Sequence, residues 1–281
     1  VVVKIDNVDQ ARPQTGINEA DVVYEVLVEG GLTRLAAVFQ SHYPTLVGPV
    51  RSGRLTDEGI ADDLNHPVYA YSGTNGNFLP ILRSQPLVDA DDSNQPGKFW
   101  RLDYAPEPHN LYTNIAALAK LDTPGSVPPA LFHYLPTGSS FGNSTATPAA
   151  GVTIHFPAAT IAWAWNAQTG RWLRSQNGTP DVVRNGPQLS ATNIVVEDIP
   201  YVISLSGYED GVFTQVPTGE FVGQGVAWYL SQGKVEKGTW TRTSLTTPTT
   251  FLDSTGAPVQ IPPGQTWVEV PPDGTVPTLV G

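Results

Sequence analysis

Three short runs hold the side chains best suited to chemistry. Gly48-Pro49-Val50-Arg51-Ser52-Gly53-Arg54 sets two guanidiniums at a corner bounded by Gly and Pro. The stretch Ala20–Arg34 carries Asp21, Glu25, Glu29 and Arg34 around a Gly30-Gly31 pair. Pro108-His109-Asn110-Leu111-Tyr112 puts an imidazole and an amide in a Pro-rich loop. Arginine forks bind carboxylates and phosphates through paired N–H groups. Arg51 and Arg54 also stand at the entrance of a helix expected over Leu55–Leu64, whose first N–H groups would face the same way and favour an oxyanion. The competing reading ties both arginines to Glu25, Glu29 or Asp21 in a structural ion-pair network.

Other chemistry is less well served. Glu25 and Glu29, four apart on a strand, share a face but lie about 13 Å apart, whereas paired glycosidase carboxylates stand roughly 5–9.5 Å apart. His109 suits a general acid or base or a hydrogen-bond clamp, with Arg101 and Asp103 as polar neighbours; a backbone-tying His beside a turn-capping Asn is the plainer alternative. His42, His66, His133 and His155 show no ligand spacing, so no metal site is expected. Ser52 or Ser72 becomes a nucleophile only if His109 comes within reach, because the serine-hydrolase signatures are missing. Dinucleotide and P-loop fingerprints are missing too, and no cofactor is expected. Trp163, Trp165 and Trp172 read as a sheet-core row more than as a sugar platform, and Trp228, Trp240 and Trp267 as core packing.

The elements that must position these residues follow from pattern. Val1–Asp6, Ala20–Glu29 and Leu32–His42 read as strands, the last two joined at Gly30-Gly31. The Leu55–Leu64 helix would be capped by Thr56, with Asp57 and Glu58 in its first turn. Pro67–Ser72 is a strand running into the corner 72–77, and Asn114–Leu121 a helix capped by Thr113. Asp122–Pro148 turns rich in Pro, Gly, Ser and Thr and reads as a linker. Beyond it, hairpins are expected over 161–175, 226–242 and 250–261, with a strand at Thr266–Val270, as in a sandwich or open barrel.

The 281 residues suffice for two cores, and 40% apolar content with 9% aromatic is globular. Twenty-seven Gly and 26 Pro favour turns over long helices. No apolar run reaches membrane-span length. A net charge of −11 argues against nucleic acid as a partner. With no Cys there is no disulfide or thiolate chemistry. With no Met, and a start at Val1-Val2-Val3-Lys4, the chain reads as a trimmed fragment whose signal peptide or lipidated Cys would lie upstream.

The chain resembles the YerB-like lipoproteins, a bacterial family of unknown function with an N-terminal and a C-terminal part. The resemblance rests on Lys4-Ile5-Asp6-Asn7, Ala11-Arg12-Pro13-Gln14-Thr15-Gly16, Ala20-Asp21, Tyr24-Glu25, Glu29-Gly30-Gly31 with Thr33-Arg34, the Gly48–Arg54 corner, and Pro108–Tyr112. Asn193–Val196, Gly238-Thr239-Trp240 and Pro263–Trp267 carry it more loosely. Ser72-Gly73-Thr74 departs from the Gly-richer turn expected there. The resemblance implies a secreted or lipid-anchored envelope protein and supplies no reaction.

The expectation is therefore an α+β protein. An N-terminal α/β-type domain over 1–125 has a mixed sheet and few short helices; a linker over 126–148 leads to a β-rich domain over 149–281. Its expected role is extracytoplasmic binding of an anionic cell-wall component or envelope protein. The expected site comprises Arg51, Arg54, Glu25, Glu29, Arg34, Ser72, Arg101, His109 and Asn110. The alternatives are an envelope-polymer hydrolase or transferase with His109 as acid or base, and a protein-interaction scaffold with no small-molecule site.

Overall fold

Strands that are apolar on both faces must lie inside a layered structure. Val2–Asp6 (β1), Val22–Leu27 (β2) and Thr33–Val38 (β3) are of this kind. Val3, Ile5, Val23, Leu35 and Ala37 enter one core, while Val2, Val22, Tyr24, Val26, Ala36 and Val38 enter another. The computed structural model describes residues 1–75, 77–121, 127–209 and 212–281. At its centre is one large mixed sheet between those cores.

From one edge the sheet runs 250–252, 234–242, 223–231, 193–197, 266–270, β2, β3, β1, Val68–Tyr71 (β4) and Val88–Asp91 (β5). β1, β4 and β5 are mutually parallel, and β3 is antiparallel to both β1 and β2. Thr266–Val270 lies parallel between β2 and Asn193–Glu197, so strands from both sides of the 126–148 segment share one sheet. A second sheet, built on Gly151–Phe156, Ala159–Asn166 and Arg171–Gln176, packs Ile154, Ile161, Trp163 and Trp172 against the Val3/Ile5 face. The opposite face is covered by Ile60 and Leu64, Leu82, Phe132, Phe141 and Phe221. The result is a β-rich fold of mixed sheets with few, short helices.

Some local expectations hold and others meet a different outcome. The turn between β2 and β3 forms at Glu29–Gly31 with Gly30 and Gly31 at φ +68° and +74°, as the paired glycines require. The first helix is only Asp57–Asp62 (α1), and Thr56 does not cap it: its hydroxyl accepts from the Gly219 N–H at 3.0 Å. The short helix Ile115–Leu118 is capped by Asn114, whose side chain accepts from the Ala117 N–H at 2.9 Å, while Thr113 donates to the Lys98 carbonyl. Within the segment read as a linker, 122–126 lies outside the described residues, as does Gly76 in the 72–77 corner. Phe132 and Phe141 of the same segment are buried in the core. The 250–261 hairpin closes through Asp253 and Val259 N–H groups, then Gln260–Ile261 pairs in parallel with His133–Tyr134. The hairpins at 159–176 and 223–242 form along their length.

Candidate functional site

The site grows from the carboxyl ends of the parallel strands β1, β4 and β5, the usual place for ligands in open sheets with parallel strands. β1 carries Lys4 and Asp6 on one face, two residues apart in an otherwise apolar strand. Asp6 is cross-strand from Arg34, the second residue of β3. The 50–54 segment then crosses these strand ends. The Arg51 N–H donates to the Lys4 carbonyl at 2.8 Å, the Ser72 N–H to the Arg51 carbonyl at 3.1 Å, and the Gly53 N–H to the Gly73 carbonyl at 3.0 Å. Gly48 brings in the third motif. A Cβ there would stand 2.7 Å from the Leu111 carbonyl oxygen, and Val50 and Val47 hydrogen-bond Leu111 and Thr113. His109 is thereby delivered beside Arg51.

Two buried anchors hold the cluster. Lys4 and Asp57, both fully buried, form an ion pair; Asp57 also accepts from the Tyr69 hydroxyl and, at 2.7 Å, from the Arg54 N–H. Burial lowers the Lys4 pKa against the opposing pull of Asp57. Asp6, whose side chain is also fully buried, has one carboxylate oxygen shared by Arg51 Nε at 3.1 Å and His109 Nδ1 at 2.8 Å. Arg54 is largely committed: Nε lies 2.9 Å from the Glu29 carboxylate and Nη1 donates to the Gly53 carbonyl. Burial pushes the Glu29 carboxyl up, but the Arg54 guanidinium, a backbone hydrogen bond and Arg34 together hold it below its ordinary range. Asn75 adds a hydrogen bond to Glu29 at 3.3 Å.

Arg34 is the exception. Its Nη1 donates to the Ser52 carbonyl at 3.3 Å, and among the described residues it makes no ion pair. Burial and the neighbouring Arg54 and Arg51 push its pKa down to about 10, against Asp6 and Glu29. With Lys4 and Asp57 cancelling, Arg51 and Arg54 pair with Asp6 and Glu29, and Asp91 lies across the corner, its carboxylate accepting from the Gly73 N–H at 2.9 Å. Arg34 is thus the guanidinium of the cluster without an ion pair among the described residues, at a half-buried position.

The remaining expected residues are placed elsewhere or at the rim. Glu25 lies on the opposite face of β2, fully buried, where it meets Arg174 at 2.6 Å, Thr33 at 2.7 Å and Asn7 at 3.0 Å. Arg174 also pairs with Asp181 and stacks on Trp267 at 5.0 Å. Glu25 is the cross-strand partner of Glu269; burial and the Glu25 charge push the Glu269 carboxyl far up, and Trp163 donates to it at 2.8 Å. Arg101 sits at the exposed rim with Glu107 at 2.8 Å and the Asn110 side-chain carbonyl at 2.7 Å. Ser72 ties the corner to Arg51 through its backbone. Asp6, Lys4, Asp57, Tyr69 and Asn75 belong to the cluster without having been singled out for it; the signal available was the Lys4/Asp6 alternation inside Val-Val-Lys-Ile-Asp. Among the described residues no group of three or more His, Cys, Asp or Glu could hold a metal ion. A cavity of about 400 Å³, walled by Val2, Val22, Tyr43, His66 and Tyr134, lies at the other end of β1. Trp163, Trp172, Trp228, Trp240 and Trp267 are all buried.

Fold and cluster together define a β-rich protein with an arginine-rich cluster at the ends of a mixed sheet. Residues 1–126 match the model of "Protein of unknown function (DUF3048) N-terminal domain", and residues 152–268 match that of its C-terminal domain. The chain belongs to this family. A Bacillus subtilis (strain 168) protein named "Putative lipoprotein YerB" is 36% identical over 121 residues, 43% of this chain and 36% of that protein. The matched stretch thus spans about a third of that relative's length. The crystal structure of YerB protein from Bacillus subtilis superposes with a TM-score of 0.79 at 24% identity, covering 99% of this chain and 93% of that one, and shows the fold. No helix among the described residues is long and apolar enough to cross a membrane.

Proposed function

We propose that the chain is an extracytoplasmic, lipid-anchored envelope protein that binds an oxyanion, a phosphate or carboxylate of an envelope polymer or partner, at Arg34 and Arg51. The observation that carries this reading is the unpaired guanidinium of Arg34 beside two paired ones. Leaving a half-buried cation without a counter-ion costs free energy, and an incoming anion recovers it. Arg51, 27% exposed, presents the rest of its fork to the same anion; Arg54, 6% exposed, holds the loop through Glu29. Residues 1–125 form the unit that carries the site, and 149–281 the β-rich unit that completes its sheet. The relative's name as a lipoprotein supports the anchor.

Isothermal titration with inorganic phosphate and with acetate tests the reading. Wild type is expected to bind at least one of them, and Arg34→Gln to weaken that binding about tenfold or more, the loss of one charge-assisted contact. Equal affinity in wild type and Arg34→Gln, with both folded, would show that the spare charge is not a receptor.

A further inference from the structure

The His109 imidazole stands in this cluster with its ring held by a buried carboxylate. Asp6 is buried, and its Oδ2 faces His109 Nδ1 at 2.8 Å. A carboxylate only accepts, so Nδ1–H donates and the lone pair of the neutral ring lies on Nε2. Nε2 has no hydrogen-bond partner among the described residues, and the His109 side chain is 19% exposed, so this nitrogen is free to take a proton. The same Asp6 oxygen accepts from Arg51 Nε at 3.1 Å, which fixes the base and the anion-holding fork to one atom. Asp6 is also the cross-strand partner of Arg34. Base, positioning carboxylate and spare cation therefore lie within a few side-chain lengths.

We propose that His109, oriented by Asp6, is a general base that makes this site a hydrolytic centre for phosphodiesters; the inference rests on the oxyanion-receptor reading above. The ligand class follows from charge and chemistry. A diester carries one negative charge, matching the guanidinium of Arg34, which has no ion pair among the described residues. Unlike a carboxylate, it also gives an activated water an electrophilic centre to attack. In the step, a water O–H bond breaks with its proton passing to Nε2, and the water oxygen bonds to phosphorus. The P–O bond to the leaving alcohol breaks with its electron pair, and that oxygen takes a proton from solvent. The imidazolium then returns its proton to solvent, so diester and water become monoester and alcohol. Arg34 and Arg51 face the second negative charge that develops on the phosphoryl oxygens.

The test uses the whole chain with two readouts: phosphate affinity by ³¹P NMR titration, and alcohol release from bis(p-nitrophenyl) phosphate and a glycerophosphodiester. Wild type is expected to bind phosphate and hydrolyse a diester. His109→Gln, at a partly exposed side chain, should lose about 100-fold or more in kcat with phosphate affinity within threefold. Asp6→Asn should lower kcat and move the acidic limb of the pH–rate profile, a shift that a purely structural role would not produce. Phosphate binding without wild-type turnover, or turnover unchanged in His109→Gln, overturns the hydrolytic centre and leaves the receptor standing. Absence of phosphate binding overturns the hydrolytic centre as well, and acetate binding then decides the receptor. An unmoved pH limb in Asp6→Asn removes Asp6 from the positioning role.

Discussion

Replacing Arg174 by Met should cost about 3–5 kcal/mol of stability at pH 7, as expected when one partner of a buried ion pair is removed. The structure makes this site a severe instance. The Arg174 side chain is fully buried, with Glu25 at 2.6 Å on one nitrogen and Asp181 on another, and Gln176 at 3.0 Å. Met fills the space over Trp267 without supplying any of those donors. Glu25, with no exposed side-chain surface, would keep just neutral partners, the Thr33 hydroxyl, the Asn7 amide and the raised Glu269 carboxyl. Urea titration followed by tryptophan fluorescence reads the change directly, because Trp163, Trp172 and Trp267 are buried around the pair. With a slope of about 3 kcal/mol per molar urea, the midpoint should fall by about 1–1.7 M. The loss should shrink toward pH 4, where the stranded carboxyls take up protons. A midpoint within about 0.3 M of wild type at pH 7 would refute the reasoning.

Two further outcomes follow from the interior. Burial, with Asp63 adding to it, pushes the Glu197 carboxyl up to about 8. The folded chain therefore keeps a proton that the unfolded chain releases near pH 4.5, and stability should fall between about pH 4.5 and 8 and then level off. Glu197→Gln should flatten that slope and gain on the order of 5 kcal/mol over wild type at pH 9; parallel urea midpoints from pH 5 to 9 would contradict this. Gly48→Ala, with φ at +154° and its new Cβ 2.7 Å from the Leu111 oxygen and 2.9 Å from Tyr112, should lower stability by about 2–3 kcal/mol in thermal unfolding. An unchanged melting temperature would mean that the two motifs do not need this close approach.

The sequence disclosed the arginine corner and the His-Asn loop because their types and punctuation are unusual over a few residues. It also disclosed the strands β1 to β3, whose Val, Ile and Leu content has no helical period. Asp6 was harder to see: a single acid at the end of an apolar strand looks like a solvent-facing terminus until β3 is laid beside it. Glu25 was drawn toward the arginines by proximity in the chain. Only the β2–β3 register, which sets Val26 opposite Arg34 and Glu25 opposite Leu35, puts it on the far face. The caps moved for a similar reason. Thr56 and Thr113 are good local caps, but each hydroxyl is claimed by a distant backbone group, Gly219 for one and Lys98 for the other. Thr266–Val270 was readable as a strand; nothing within five residues says which two strands it will separate.

That strand also sets the order in which the chain can become a protein. Val22 is paired with Thr266 and Asn193 with the same residue from the other side, so two early-made strands wait for one made near the end. Until it arrives, β2 offers a bare row of N–H and C=O groups flanked by Val and Leu, the kind of edge that recruits foreign strands. Such remote pairing makes closure slow relative to local structure. A chain emerging amino-end first must therefore be kept apart from its neighbours until its last strands are free.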